Sequence, residues 1–102
     1  MSEDWADAFL DWLAKEKKYS YHTVRSYQTD LNKFKEFLGV QFETQSMLEV
    51  GKPEVRTWVM SMLNNGLAES TVNRKLVTLS SYYNYALKNE WIEKNPIDLI
   101  AR

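Results

Sequence analysis

Four stretches of this chain repeat apolar residues at the three-to-four-residue spacing of a helix, and none keeps the alternation a half-buried strand needs. The first runs from about Asp4 to Lys17, with Trp5, Phe9, Trp12 and Leu13 on one face. Ser2, Glu3 and Asp4 at its start and Lys15, Lys17 and Lys18 at its end suit the helix dipole. The second runs from Tyr21 to Leu38, with Ser20 as N-cap, Val24, Tyr27, Leu31, Phe34 and Leu38 inward, and Gly39 as its stop. Arg25, Ser26, Thr29, Asn32, Lys33 and Glu36 face the other way, and Phe37 lies off the stripe. Residues 40–52 read as a connection anchored by Leu48 and Val50.

Pro53 opens a third helix, where its missing N–H costs nothing. Val55, Trp58, Val59, Met62 and Leu63 form its stripe, and Asn64, Asn65 and Gly66 end it. The fourth helix extends from Glu69 or Ser70 to Asn89. Val72, Leu76, Leu79, Tyr83 and Ala86 turn inward, and Arg74, Thr78, Ser81 and Tyr85 turn outward, with Val77 an apolar exception among them. A short turn after Asn95-Pro96 carries Ile97, Leu99 and Ile100. The expectation is an all-α fold: a compact bundle of four helices plus a short C-terminal helical turn, one domain over residues 1–102.

Composition excludes several classes. Without cysteine there is no disulfide framework, no thiol catalysis and no Cys-based zinc site, which fits a reducing, cytoplasmic setting. No apolar run is long enough to span a membrane. The net charge of −1 hides segregation. Residues 1–14 hold Glu3, Asp4, Asp7 and Asp11 and no base. Residues 15–35 hold Lys15, Lys17, Lys18, Arg25, Lys33 and Lys35 against Glu16 and Asp30, and residues 70–89 hold Arg74, Lys75 and Lys88 with no acid.

Catalytic constellations are sparse. His22 is the only histidine and lies in no metal-ligating motif, so it reads as a polar residue of a first helical turn. There is no Gly-x-Ser-x-Gly elbow, and Gly39, Gly51 and Gly66 are isolated, so no glycine-rich phosphate loop forms. The sequence calls for no cofactor and no metal. Tyr82, Tyr83 and Tyr85 read as core aromatics, and Trp5, Trp12, Trp58 and Trp91 as core or as an interface where exposed.

Two helix starts stand out. Ser20-Tyr21-His22-Thr23-Val24-Arg25-Ser26 and Ser70-Thr71-Val72-Asn73-Arg74-Lys75 each place hydroxyls in a first turn and a base in the next. Free N–H groups and the positive dipole end there suit phosphates, and Arg or Lys can reach a second phosphate or a base edge. Ordinary capping with solvated charges accounts for the same residues.

The same segments resemble the N-terminal core-binding domain of tyrosine recombinases, the phage-integrase family. The resemblance runs through Thr23, Tyr27, Asp30-Leu31, Phe34 and Glu36-Phe37-Leu38. It continues through Gly66-Leu67, Ser70-Thr71-Val72-Asn73-Arg74-Lys75-Leu76, Leu79, Tyr82-Tyr83 and Tyr85, and closes on Glu90-Trp91-Ile92-Glu93-Lys94-Asn95-Pro96. Ala68 stands where a hydroxyl cap is usual, leaving that role to Ser70; Gly51 replaces a frequent Thr, and Ser80 and Asn84 are neutral where arginines are common. The resemblance implies a SAM-like fold that forms one half of a C-shaped clamp around duplex DNA, its second and fourth helices crossing the major groove. The catalytic domain of the parent recombinase, with its Arg, His and nucleophilic Tyr, is then expected after Asn95-Pro96 and outside this chain. None of the six tyrosines is then the nucleophile. Implied partners are double-stranded DNA, that catalytic domain and other protomers on DNA, with no membrane.

This reading places His22, Thr23, Arg25, Ser26, Ser70, Thr71, Asn73, Arg74 and Lys75 on one DNA-facing surface. It further expects the amino-terminal ends of the second and fourth helices to aim at a common polyanion. The competing reading is a helical protein–protein interaction module with an exposed patch of Trp5, Trp12 and Trp91.

Overall fold

The computed structural model describes residues 6–43 and 46–100, so Ser2, Glu3, Asp4 and Trp5 lie outside the described residues. Its elements are α1 (Ala6–Lys15), α2 (Tyr21–Phe42), a 3-10 turn (Met47–Glu49), α3 (Lys52–Asn64), α4 (Glu69–Lys88) and a second 3-10 turn (Pro96–Leu99). The fold is all-α, with no strand among the described residues.

The apolar stripes meet as the spacing predicts. Phe9 and Leu13 of α1, Leu31, Phe34 and Leu38 of α2, Val55, Trp58 and Met62 of α3, and Val72, Leu76, Leu79, Tyr82 and Tyr83 of α4 share one core. Val24, Tyr27 and Val59 are half-buried at its edge, and Leu63 is exposed. Ile97 from the last turn is fully buried. Asn95 fastens that turn: its Nδ2 donates to Asn84 Oδ1 at 3.0 Å and to the Ser80 carbonyl at 3.2 Å, and its Oδ1 accepts from Ile97 N–H at 2.9 Å. Ser80 and Asn84 therefore serve the fold.

Several expectations change. Gly39 does not stop α2, which runs on to Phe42 and ends at Glu43 in the left-handed region (φ 55°). A mid-helix glycine costs only about 1 kcal/mol. The extra turn offsets that by seating Phe42 against the core and against Phe37, ring centroids 6.1 Å apart. The connection is anchored most deeply by Met47, which is fully buried and whose carbonyl accepts from Tyr83 Oη at 2.7 Å; Leu48 and Val50 are half-buried beside it. Thr78 faces inward, and Tyr85 is half-buried among aromatic rings.

The caps show how the chain enters and leaves its helices. Ser20 Oγ accepts from Thr23 N–H at 3.1 Å at the start of α2. Gly51 N–H donates to Glu54 Oε1 at 3.0 Å at the start of α3. Gly66 (φ 89°) closes α3, with Leu67 N–H reaching the Met62 carbonyl and Gly66 N–H the Leu63 carbonyl. At α4 the cap position falls to Ala68, which supplies no side-chain hydrogen bond, and Ser70 lies inside the helix. Ala68→Ser is therefore expected to raise stability by about 0.5–1 kcal/mol, read as a higher urea midpoint at unchanged slope.

Candidate nucleic-acid interface

On α2, His22, Thr23, Arg25 and Ser26 are all exposed. Ser20 Oγ donates to Thr23 Oγ1 at 3.0 Å while capping the helix. Arg25 Nη1 donates to Tyr21 Oη at 2.9 Å, and Tyr21 meets the His22 ring edge-on at 5.8 Å. His22, Ser26, Thr29 and Lys33 continue one exposed row at i, i+4, i+7 and i+11.

On α4, Ser70 and Asn73 are exposed, Thr71 is half-buried, and the Arg74 side chain is 52% exposed. Val77 extends this face, and no acid follows Glu69 before Glu90. Lys75 does not join the face: its side chain is 10% exposed, and its Nζ donates to Asp30 Oδ1 at 2.9 Å. Asp30 is 3% exposed and also accepts at Oδ2 from Arg74 Nη1 at 2.8 Å and from Thr78 Oγ1 at 3.1 Å. Lys75 thus serves as an internal counter-charge that locks α2 to α4. Burial pushes the Asp30 carboxyl up, but the hydrogen bonds and charges of Lys75 and Arg74 outweigh it, leaving it below its ordinary value.

The two helix starts do not converge. As α2 advances from Tyr27 to Asp30, its neighbours on α4 step back from Ser81 and Tyr85 to Arg74, Lys75 and Thr78. The helices therefore run in opposite senses past the Asp30 node. Tyr21 lies about 14 Å from Asp30 along α2 and Glu69 about 8 Å from Arg74 along α4, in diverging directions. The expected single point becomes two cationic stations, at Arg25 and Arg74, joined by the outer row of α4.

The patch expected for an interaction module is not formed by Trp12 and Trp91, which are both half-buried against Tyr85 at 4.9 and 5.4 Å; Trp5 lies outside the described residues. Nor do Asp7 and Asp11 of α1 pair with Arg25 or Arg74: Asp11 pairs with Lys15 at 3.2 Å, and Arg74 with Asp30. Among the described residues no group of His, Asp and Glu could hold a metal ion, and no helix is long and apolar enough to cross a membrane.

An all-α bundle whose longest helices are pinned by a buried ion pair and turn a polar, hydroxyl-rich face outward defines the class. The chain belongs to the family of the phage integrase N-terminal SAM-like domain, whose family model matches residues 6–90. It is 36% identical over 95 residues to tyrosine recombinase XerC of Halalkalibacterium halodurans, covering 93% of this chain and 31% of that protein. It is 34% identical over 110 residues to tyrosine recombinase XerC of Chlamydia caviae (91% and 35%) and 30% identical over 92 residues to that of Pediococcus pentosaceus (90% and 31%). The chain therefore spans about a third of the length of these relatives. No solved structure matches it.

Proposed function

We propose that this chain is the DNA-binding domain of a site-specific tyrosine recombinase acting in DNA integration and recombination in the cytoplasm. It forms one half of a clamp around duplex DNA, and the catalytic residues belong to the rest of the parent protein. Other protomers on the DNA complete the assembly. The observation that carries this reading is the acid-free outer face of α4 from Ser70 to Lys88, which presents Arg74, together with the exposed first turns of α2, which present Arg25. Both stations are arginines, the side chain best matched to phosphate oxygens, and hydroxyls flank each.

The domain is nearly neutral overall, and Lys75 is spent internally, so few phosphates are neutralised and binding is weak and salt-sensitive. Fluorescence anisotropy of a labelled duplex across a salt series tests this. Arg25→Ala with Arg74→Ala is expected to reduce the slope of log K against log salt by about 1.8, from about 0.9 per lost phosphate contact. Arg56→Ala, on the exposed face of α3, serves as the control that leaves it unchanged. Absence of binding at low salt, or a double variant indistinguishable from the parent, refutes the reading.

A further inference from the structure

We propose that the groove between the end of α1, the start of α2 and the last turns of α4 is a third phosphate-binding point, served by Lys17 and Lys88 and backed by Trp12. It rests on the DNA-binding reading but lies where the carboxyl ends of α1 and α4 meet the entry to α2, away from the amino-terminal turn of α4. Lys17 Nζ lies 5.5 Å and Lys88 Nζ 5.8 Å from the centroid of the Trp12 ring. Two like charges are thus gathered onto one indole, which Tyr85 (4.9 Å) and Phe9 (6.3 Å) hold in place.

Among the described residues no carboxylate pairs with either ammonium. The groove they line has a volume of about 280 Å³ and also carries Ser81 and Asn84, with no acidic side chain among the described residues of its wall. That volume leaves room for a phosphate group. The carboxyl ends of α1 and α4 each contribute roughly half a negative charge, so the two ammonium groups leave about one positive charge unbalanced. An anionic phosphate oxygen neutralises that charge, with the Ser81 hydroxyl and the Asn84 amide beside it.

The position extends the cationic surface from Arg74 along α4 toward the entry to α2. The outer row of α4 ends at Lys88, and Tyr19, on the groove wall, immediately precedes the Ser20 cap of α2. The groove therefore lies at the opposite end of the α4 outer row from Arg74, next to the segment that leads into α2. The occupant is a phosphodiester of a nucleic-acid strand.

The test follows the Trp12 indole N–H in ¹H–¹⁵N spectra, assigned with Trp12→Phe, as the chain is titrated with a short mixed-sequence duplex and separately with inorganic phosphate. Duplex is expected to shift this signal saturably. Lys17→Gln with Lys88→Gln is expected to lower the salt slope of duplex binding by about 1.8. Both substitutions are at exposed positions, so the fold is kept. Duplex binding with an unchanged slope and an unmoved Trp12 signal overturns this proposal alone. A signal that responds to inorganic phosphate but not to duplex overturns the assignment to a strand. Failure of the parent chain to bind duplex at low salt overturns both this proposal and the function it rests on.

Discussion

Asp30→Ala is expected to destabilise the domain by about 3–5 kcal/mol, the cost of leaving a buried charge without its partner. The buried charge is Lys75, whose ammonium is bonded to Asp30 at 2.9 Å across the α2–α4 seam. Arg74 contributes less, because it is half in water and recovers solvation when released. Removing both inner charges separates the pair's net worth from the cost of orphaning one member. Asp30→Leu with Lys75→Met is expected to recover most of the loss, since apolar replacements of buried pairs are often neutral. Thr78 keeps its second acceptor, the Arg74 carbonyl at 3.4 Å. Urea unfolding of the three proteins decides the matter; a loss below about 1 kcal/mol in Asp30→Ala would contradict the ion-pair account. The same node sets the acid limb. The Asp30 carboxyl lies below its ordinary 3.8 when folded, so its stabilisation is whole above about pH 4 and drains away as the pH falls through the lower folded value. The double variant is expected to lack that component.

The second large effect is at Phe9. Its ring is fully buried and packs against Trp12, Tyr27, Tyr82 and Tyr85 at centroid distances of 6.3, 6.1, 5.5 and 5.5 Å. It is the one α1 side chain that meets rings of both α2 and α4 in these contacts. Phe9→Ala is expected to cost about 3–5 kcal/mol through lost burial and the cavity left behind. Phe9→Leu keeps most of the volume and loses mainly the ring–ring contacts, of which the one with Tyr82 is edge-to-face, about 1–2 kcal/mol. Unfolding followed by tryptophan emission measures both, because Trp12 shares the cluster. Equal losses for the two variants would show that ring geometry, not volume, holds α1 in place.

The helices were legible because each stripe keeps helical spacing for two turns or more, and burial of Phe34, Val55, Leu76 and Leu79 follows from it. Boundaries were less so. Gly39 looked like a stop because propensity is local, whereas the seat that Phe42 finds against the core is set by other segments. Met47 could not be told apart from Leu48 and Val50 as the deeper anchor, because three apolar residues in a short connection carry no period that ranks them. Lys75 misled most. It falls in line with Val72, Leu79, Tyr82 and Ala86, at i+3, i+4, i+7 and i+11 spacings along the buried face. A cation in that row signals a buried acid, but nothing local identifies the acid as Asp30, 45 residues earlier. The exposed residues at the starts of α2 and α4 were readable from their hydroxyl-and-base turns. The opposite sense of the two helices was not, since it depends on how the bundle closes.

The way α4 divides its two sides bears on how such a domain changes over generations. The inner side carries the cooperative fold through Leu76, Leu79, Tyr82 and the Lys75–Asp30 lock, while Ser70, Asn73 and Val77 stand in solvent. Exchanges at solvent positions usually move stability by no more than about 0.5 kcal/mol. Natural drift can thus rewrite the outward lettering of this helix while the scaffold beneath stays under separate selection.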